Sequence, residues 1–336
     1  MNQLYPLKFK TIFKEKLWGG QKIKTLLGKD FGDLANCGET WELSGVPGNI
    51  SVVSDGPLAG KDLKSLIREF DSELVGLSVH AIYGDDFPLL IKFIDADQDL
   101  SIQVHPNDQL AKERHNSFGK TEMWYVMQAD RDATLISGFN RELNKQEYLE
   151  KFNQGKLMDI LNREKVETDD VFFLPAGRVH TIGKGLLIAE IQQTSDVTYR
   201  IYDFDRRDVE GNKRELHVEE ALDAIDYQHY DDYKTQYQDL PNVRVPLVDC
   251  PYFTTNKLWL DRDYTVDMKS LDSFKIYVCL EGEGELKTEE SGTTLKKGDV
   301  VLVPAVIQHY ELETPSGIKL LESYIKEKKK IKKPNL

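Results

Sequence analysis

An eleven-residue pattern occurs twice in this chain, and it limits the fold more than any other feature. Asp170-Val-Phe-Phe-Leu-Pro-Ala-Gly-Arg-Val-His180 and Asp299-Val-Val-Leu-Val-Pro-Ala-Val-Ile-Gln-His309 both read as Asp, four apolar residues, Pro-Ala, three residues, then His. A short apolar run closed by Pro is a strand that ends at a turn. Two copies starting at 170 and 299 suggest two related barrels rather than one decorated barrel.

Strand signals dominate elsewhere too. Phe87 to Ile94, Leu100 to His105, Thr121 to Val126, Leu186 to Ile191 and Phe274 to Leu280 are short, β-branched or aromatic, and bounded by turn residues. Helical periodicity is confined to Leu58–Leu77 and Lys145–Leu161. The expected fold is therefore mainly β: two jelly-roll barrels with a short helical insertion at about residues 141–165. The expected domains are 1–225, a connecting segment 226–245 with several Tyr among acids, a second barrel at 246–325, and a basic tail at 326–336.

Composition narrows the function. With 44 Lys and Arg against 57 Asp and Glu, the formal net charge is −13. That balance argues against a nucleic-acid surface, which needs a clustered positive face. The basic run Lys326–Lys333 reads as a solvated tail. Three cysteines without pair spacing support neither a disulfide framework nor a CxxC metal site. The first twenty residues lack an apolar signal core, and no apolar run approaches the ~18 residues of a membrane helix. These features predict a cytoplasmic protein with no membrane partner.

Chemistry concentrates in the first half. On a strand, Gln103 and His105 project from one face, as do Lys120, Glu122 and Trp124. His180 follows the Pro175-Ala-Gly177 turn, where Gly permits a tight bend. Gln103, His105, Glu122 and His180 together offer two imidazole nitrogens and two oxygens. That set suits one borderline divalent ion, Zn²⁺ first, with other divalent metals able to use the same donors. Taken singly, each residue is more often a hydrogen-bonded loop or core residue than a ligand. The joint pattern is that of a cupin, in which ligands from several strands converge inside one barrel. In the second copy Val306 replaces the turn Gly, and the strand before it offers no paired donors, so the second barrel reads as metal-free.

Several segments resemble type I mannose-6-phosphate isomerase (phosphomannose isomerase) in its short bacterial form. They are Leu17–Gly20, Gly38–Glu42, Phe87–Asp95, Ser101–Asp108, Gly119–Tyr125, Pro175–His180 and Glu190–Arg206. The resemblance implies a zinc enzyme interconverting mannose 6-phosphate and fructose 6-phosphate, with metal on the four residues named above. It maps catalytic-loop positions onto Asp196 and Arg200. Longer members carry a large helical domain before the second His ligand, for which this chain has no room. Some also have a His just before the matching Lys, assigned to ring opening; here that position is Gly119.

Moving a carbonyl between C1 and C2 needs a base for a carbon-bound proton and a metal-stabilised enediolate. Lys120 is the leading base, with a structural or phosphate-binding role as its rival reading. Arg200 stays protonated and is expected to clamp phosphate or enediolate oxygens. A surface ion pair with Asp203 or Asp205 is its alternative. Lys92 is out of place in an apolar strand and is expected to face the cavity; Trp18, Ser101 and Glu190 complete the expected substrate contacts. Two other readings stand beside this one: a non-catalytic sugar-phosphate-binding bicupin, and another cupin reaction such as glucose-6-phosphate isomerisation or an iron-dependent oxygenation, the extra Gln103 weighing against the oxygenase. Oligomeric state is not legible.

Overall fold

The computed structural model describes residues 3–208 and 210–326. Of the expected basic tail, only Lys326 falls among them. The chain forms two compact units, each discontinuous in sequence. One comprises Thr11–Asn49 and Pro88–Gln236; the other draws on Met1–Lys10, Ile50–Phe87 and Tyr237–Leu336. The expected division ran linearly along the chain, whereas these units interleave.

The first unit holds eleven strands: β1 (Ile12–Lys14), β2 (Glu39–Leu43), β3 (Leu89–Ala96), β4 (Ile102–Val104), β5 (Glu122–Ala129), β6 (Thr134–Phe139), β7 (Leu161–Lys165), β8 (Val171–Leu174), β9 (His180–Ile182), β10 (Leu186–Gln193) and β11 (Tyr199–Tyr202). They make a six-stranded sheet ordered β1-β2-β3-β10-β5-β8 and a five-stranded sheet ordered β11-β4-β9-β6-β7. All the pairings are antiparallel. β3 and β10 are buried along their whole length, which explains their nearly continuous apolar sequences. The helical insertion is brief: Lys145–Asn153, started by the Asn144 side chain accepting from Glu147 N, then a 3-10 turn at Leu157–Asp159. Tyr148 from that helix is buried with Phe139 and Tyr199 in one apolar cluster.

The second unit holds β12 (Arg244–Asp249), β13 (Thr254–Leu260), β14 (Tyr264–Asp267), β15 (Lys275–Lys287), β16 (Gly292–Lys296), β17 (Val300–Val303), β18 (His309–Glu313) and β19 (Ile318–Tyr324). The thirteen-residue β15 organises it, pairing with β17 and β19 through its first half and with β16 and β18 through its second. A register shift between Cys279 and Glu281 marks the change. The expected helix at 58–77 runs over Leu63–Val75, capped by Asp62 and interrupted at Asp71, and a second helix follows at Leu77–Tyr83. Buried Glu322 accepts from Lys275 Nζ at 2.6 Å and from Arg244 Nε at 2.8 Å. Both cations outweigh the burial that would raise its carboxyl, which titrates below the usual range.

Both copies of the repeated pattern play the same structural part. Each runs from one strand through a Pro-Ala turn to a His that begins the next, β8 to β9 and β17 to β18. The two histidines then differ: His180 is buried and His309 is exposed. Gly177 takes φ +95°, a conformation that Val306 in the second copy does not adopt.

Candidate active site and metal centre

Strand register builds this site. In the six-stranded sheet, Trp41, Lys92, Glu190, Trp124 and Phe172 are successive cross-strand partners on β2, β3, β10, β5 and β8. In the five-stranded sheet, Arg200, Gln103, His180 and Ser137 form the corresponding row across β11, β4, β9 and β6. Cross-strand partners lie on one face of a sheet, so each row presents its functional groups together. Between them lies a cavity of about 440 Å³, a volume suited to a small ligand.

Buried behind Gln103 and Lys120 of this lining, His105, Glu122 and His180 converge, with donor atoms all within 4.8 Å of one another. His105 Nε2 is 3.5 Å from Glu122 Oε2, and His180 Nε2 is 3.3 Å from Glu122 Oε1. Each imidazole turns Nδ1 to a backbone carbonyl, Val197 O at 2.9 Å for His105 and Arg178 O at 2.8 Å for His180. A carbonyl can only accept, so each ring carries its proton on Nδ1 and turns a bare Nε2 toward Glu122. Burial depresses both imidazoles, His180 to about 3, with the Lys120 charge adding to the effect at His105. Both rings are therefore neutral.

Glu122 is fully buried, yet neither of its oxygens accepts an aligned hydrogen bond. Lys120 Nζ lies 3.1 Å from Oε2 as an ion pair and 3.0 Å from His105 Nε2. Burial raises the Glu122 carboxyl, against the opposing pull of Lys120. Buried carboxylate oxygens without hydrogen bonds are costly, and two bare imidazole nitrogens beside them make a divalent-cation donor set. The residues present fit a metal ion. Gln103 adjoins the group, its amide nitrogen 3.3 Å from His180 Nε2 and its carbonyl oxygen 3.4 Å from Ser101 Oγ.

A line of alternating charge crosses the six-stranded sheet, which also carries Glu122 on β5. Lys16 Nζ meets Glu39 at 3.2 Å, Lys92 Nζ lies 3.9 Å from Glu39 and 3.1 Å from Glu190, and Glu190 accepts from Trp124 Nε1 at 2.8 Å. Burial pushes the Glu39 carboxyl up, but Lys92, Lys16 and the Trp41 indole outweigh it and hold it at about 2. Burial likewise works against the Lys92 ammonium, and Glu190 with Glu39 keeps it charged. Every charge in this line is matched.

The structure brings the residues named from sequence together. Trp18, Lys92, Ser101, Gln103, Lys120, Glu190, Asp196 and Arg200 all line the cavity above the buried triad. Arg200 pairs with neither Asp203, which binds Arg206 and Arg214, nor Asp205, which binds Lys213. Position 119 has no room for a side chain: a Cβ there would lie 2.5 Å from Asp108 N and 2.7 Å from Asn107 C. Sequence reasoning missed Lys14, Lys16, Glu39, Thr198 and Arg214 as lining residues. Glu39 and Trp41 do carry a usable signal, the same i, i+2 spacing that exposed Gln103 and His105. Arg214 carries none.

A β-barrel unit with two histidines and a glutamate gathered behind a polar cavity has the architecture of a cupin with a candidate metal site. Residues 6–133 match the family described as phosphomannose isomerase type I, catalytic domain, and residues 245–325 match mannose-6-phosphate isomerase, cupin domain. The chain is 39% identical over 316 residues to mannose-6-phosphate isomerase ManA of Bacillus subtilis (strain 168), covering 92% of this chain and 96% of that protein. It is 34% identical over 309 residues to the mannose-6-phosphate isomerase of Streptococcus mutans, covering 92% and 95%. The crystal structure of mannose 6-phosphate isomerase from Bacillus subtilis superposes with a TM-score of 0.86 at 34% identity, covering 95% of this chain and 99% of that one. The chain belongs to the type I phosphomannose isomerase family.

Proposed function

We propose that this chain interconverts mannose 6-phosphate and fructose 6-phosphate, using one divalent ion, zinc first, on Gln103, His105, Glu122 and His180. One observation carries the reading: a buried carboxylate, met by the Lys120 ammonium alone, faces the unprotonated Nε2 atoms of two imidazoles directly behind the cavity lining. These residues would hold the ion, which when bound would supply Lewis-acid charge to the sugar's oxygens.

The chain's own groups do the rest. Lys120 Nζ carries the proton between C1 and C2, a role supported by its lying beside the triad and in the cavity lining. Arg200, with no carboxylate partner among the described residues, holds a charged substrate oxygen, and Asp196 in the same lining is the next proton-handling group. Lys92, Glu190 and Ser101 present matched donors and acceptors to hydroxyls, and Trp18 supplies an apolar ring face. Burial of the triad and Lys120 keeps bulk water from the proton in transit.

The test is turnover of mannose 6-phosphate by the metal-loaded chain, before and after chelation. Activity that disappears with the metal and returns on adding zinc is the expected result. Binding of the sugar phosphate with no turnover at full metal content would instead select the non-catalytic bicupin.

A further inference from the structure

We propose that Arg214, together with Arg200, forms the seat for the phosphate group of the substrate, with Asp203 as the residue that positions Arg214. This rests on the sugar-phosphate reading above and assigns a part of the site that no sequence motif marked.

Two guanidinium groups line the same cavity, and each is anchored in a way that leaves hydrogen-bonding capacity unused. The Arg200 backbone is clamped by His217, donating to Nδ1 at 3.2 Å and accepting from His217 N at 2.7 Å. Its NH1 donates to Glu215 O at 2.7 Å, while its Nε is buried with no partner. Arg214 is gripped along one edge by the buried Asp203, Nε to Oδ2 at 2.7 Å and NH2 to Oδ1 at 2.5 Å. Two bonds to one carboxylate fix the plane of the guanidinium. Its NH1 makes no hydrogen bond among the described residues.

Charge around this end does not balance. Asp203 also binds Arg206, so one carboxylate serves two guanidinium groups and Arg200 has none among the described residues. Along the cavity wall Glu39 and Glu190 match Lys16 and Lys92, and buried Glu122 matches Lys120. That leaves Lys14 and Arg200 of the lining cations without a carboxylate partner among the described residues, against the single remaining acid Asp196, in a chain of net charge −13. Burial and the nearby Arg214 charge both disfavour the Arg200 cation, an expense that a bound dianion removes. Neutral hydroxyls do not call for such a pair. A phosphate monoester offers several acceptor oxygens to paired guanidinium groups, and Arg binds such groups in a planar fork.

The experiment uses the metal-loaded full chain and two probes, inorganic phosphate by calorimetry and mannose 6-phosphate by steady-state turnover. Arg214→Gln is expected to weaken phosphate binding by about 10- to 100-fold, the loss of one or two charged hydrogen bonds. KM should rise in parallel while kcat stays within about threefold. Unchanged phosphate affinity, or a fall in kcat with KM unaltered, overturns the proposal. Should Arg214→Gln lose its metal or its cooperative thermal transition, Arg214→Lys decides. Keeping charge without the fork, it should bind phosphate about fivefold or more weakly, and wild-type affinity there overturns the seat. Arg214-dependent phosphate binding in a chain that does not turn over the substrate would leave the seat standing and remove the isomerase reading. Turnover with Arg214-independent phosphate binding would remove the seat alone.

Discussion

Lys92 and Glu190 are direct cross-strand partners on β3 and β10, and their side chains meet as a buried ion pair with Nζ 3.1 Å from Oε2. Removing one member of such a pair leaves the other charge buried and alone. Lys92→Met should therefore destabilise the chain by about 3–5 kcal/mol. The double variant Lys92→Met, Glu190→Gln should recover much of that loss, since Gln still accepts from Trp124. Denaturant unfolding of the three proteins measures it; equal losses in single and double variants would show that the pair is not coupled.

The metal assignment predicts a graded loss. His105→Ala or His180→Ala should empty the site, and Gln103→Ala should weaken it less, because a neutral amide oxygen is the poorest of the four donors. Elemental analysis after dialysis reads this directly. Full metal content in the double His variant would move the metal elsewhere.

Lys120 and the metal are separable. Lys120→Met should abolish exchange of the C2 proton with solvent while metal content stays at the wild-type level. Arg200→Ala should cost about 10²–10³ in rate, and Arg200→Lys less. Normal C2 exchange in Lys120→Met would shift the proton-transfer role to Asp196 or Glu190.

Gly119 offers a steric test. Because a Cβ would strike the Asn107–Asp108 backbone, Gly119→Ala should cost roughly 1–3 kcal/mol and displace the adjoining Lys120. Unfolding midpoints and turnover should fall together. A variant with wild-type values for both would show that this backbone yields freely.

Asp95 should impose a pH dependence on stability. It is buried, its Oδ2 accepts from Lys22 N at 2.6 Å, and burial pushes its carboxyl up to about 6. The folded pKa lies above the unfolded value of 3.8, so between these limits the folded state binds more protons. Stability from this group falls as pH rises from about 4 to 6, by up to about 3 kcal/mol. Asp95→Asn should gain on the wild type over that window and keep a constant difference above it. Urea unfolding at pH 4.5 and 7.5 checks the sign.

Much of the site was legible because its information is local. The alternation of side chains along a strand places Gln103 with His105, and Lys120 with Glu122, whatever the rest of the chain does. The turn that delivers His180 depends on Pro175 and Gly177 within a few residues of it. Local sequence therefore carried the β architecture and placed the candidate donors on their strands and turn. Tertiary structure decided what depends on register and burial. Local sequence does not say that Lys92 faces Glu190 or that Trp41 faces Lys92, because pairing joins segments far apart in the chain. The same limit hid the interleaving of the two units and the approach of Arg214 to the cavity. It also separated the two repeat histidines: identical spacing from Pro-Ala left His180 buried against Glu122 and His309 in solvent. Spacing sets where a side chain sits along its strand, whereas only the packed sheets decide which chemistry it meets there.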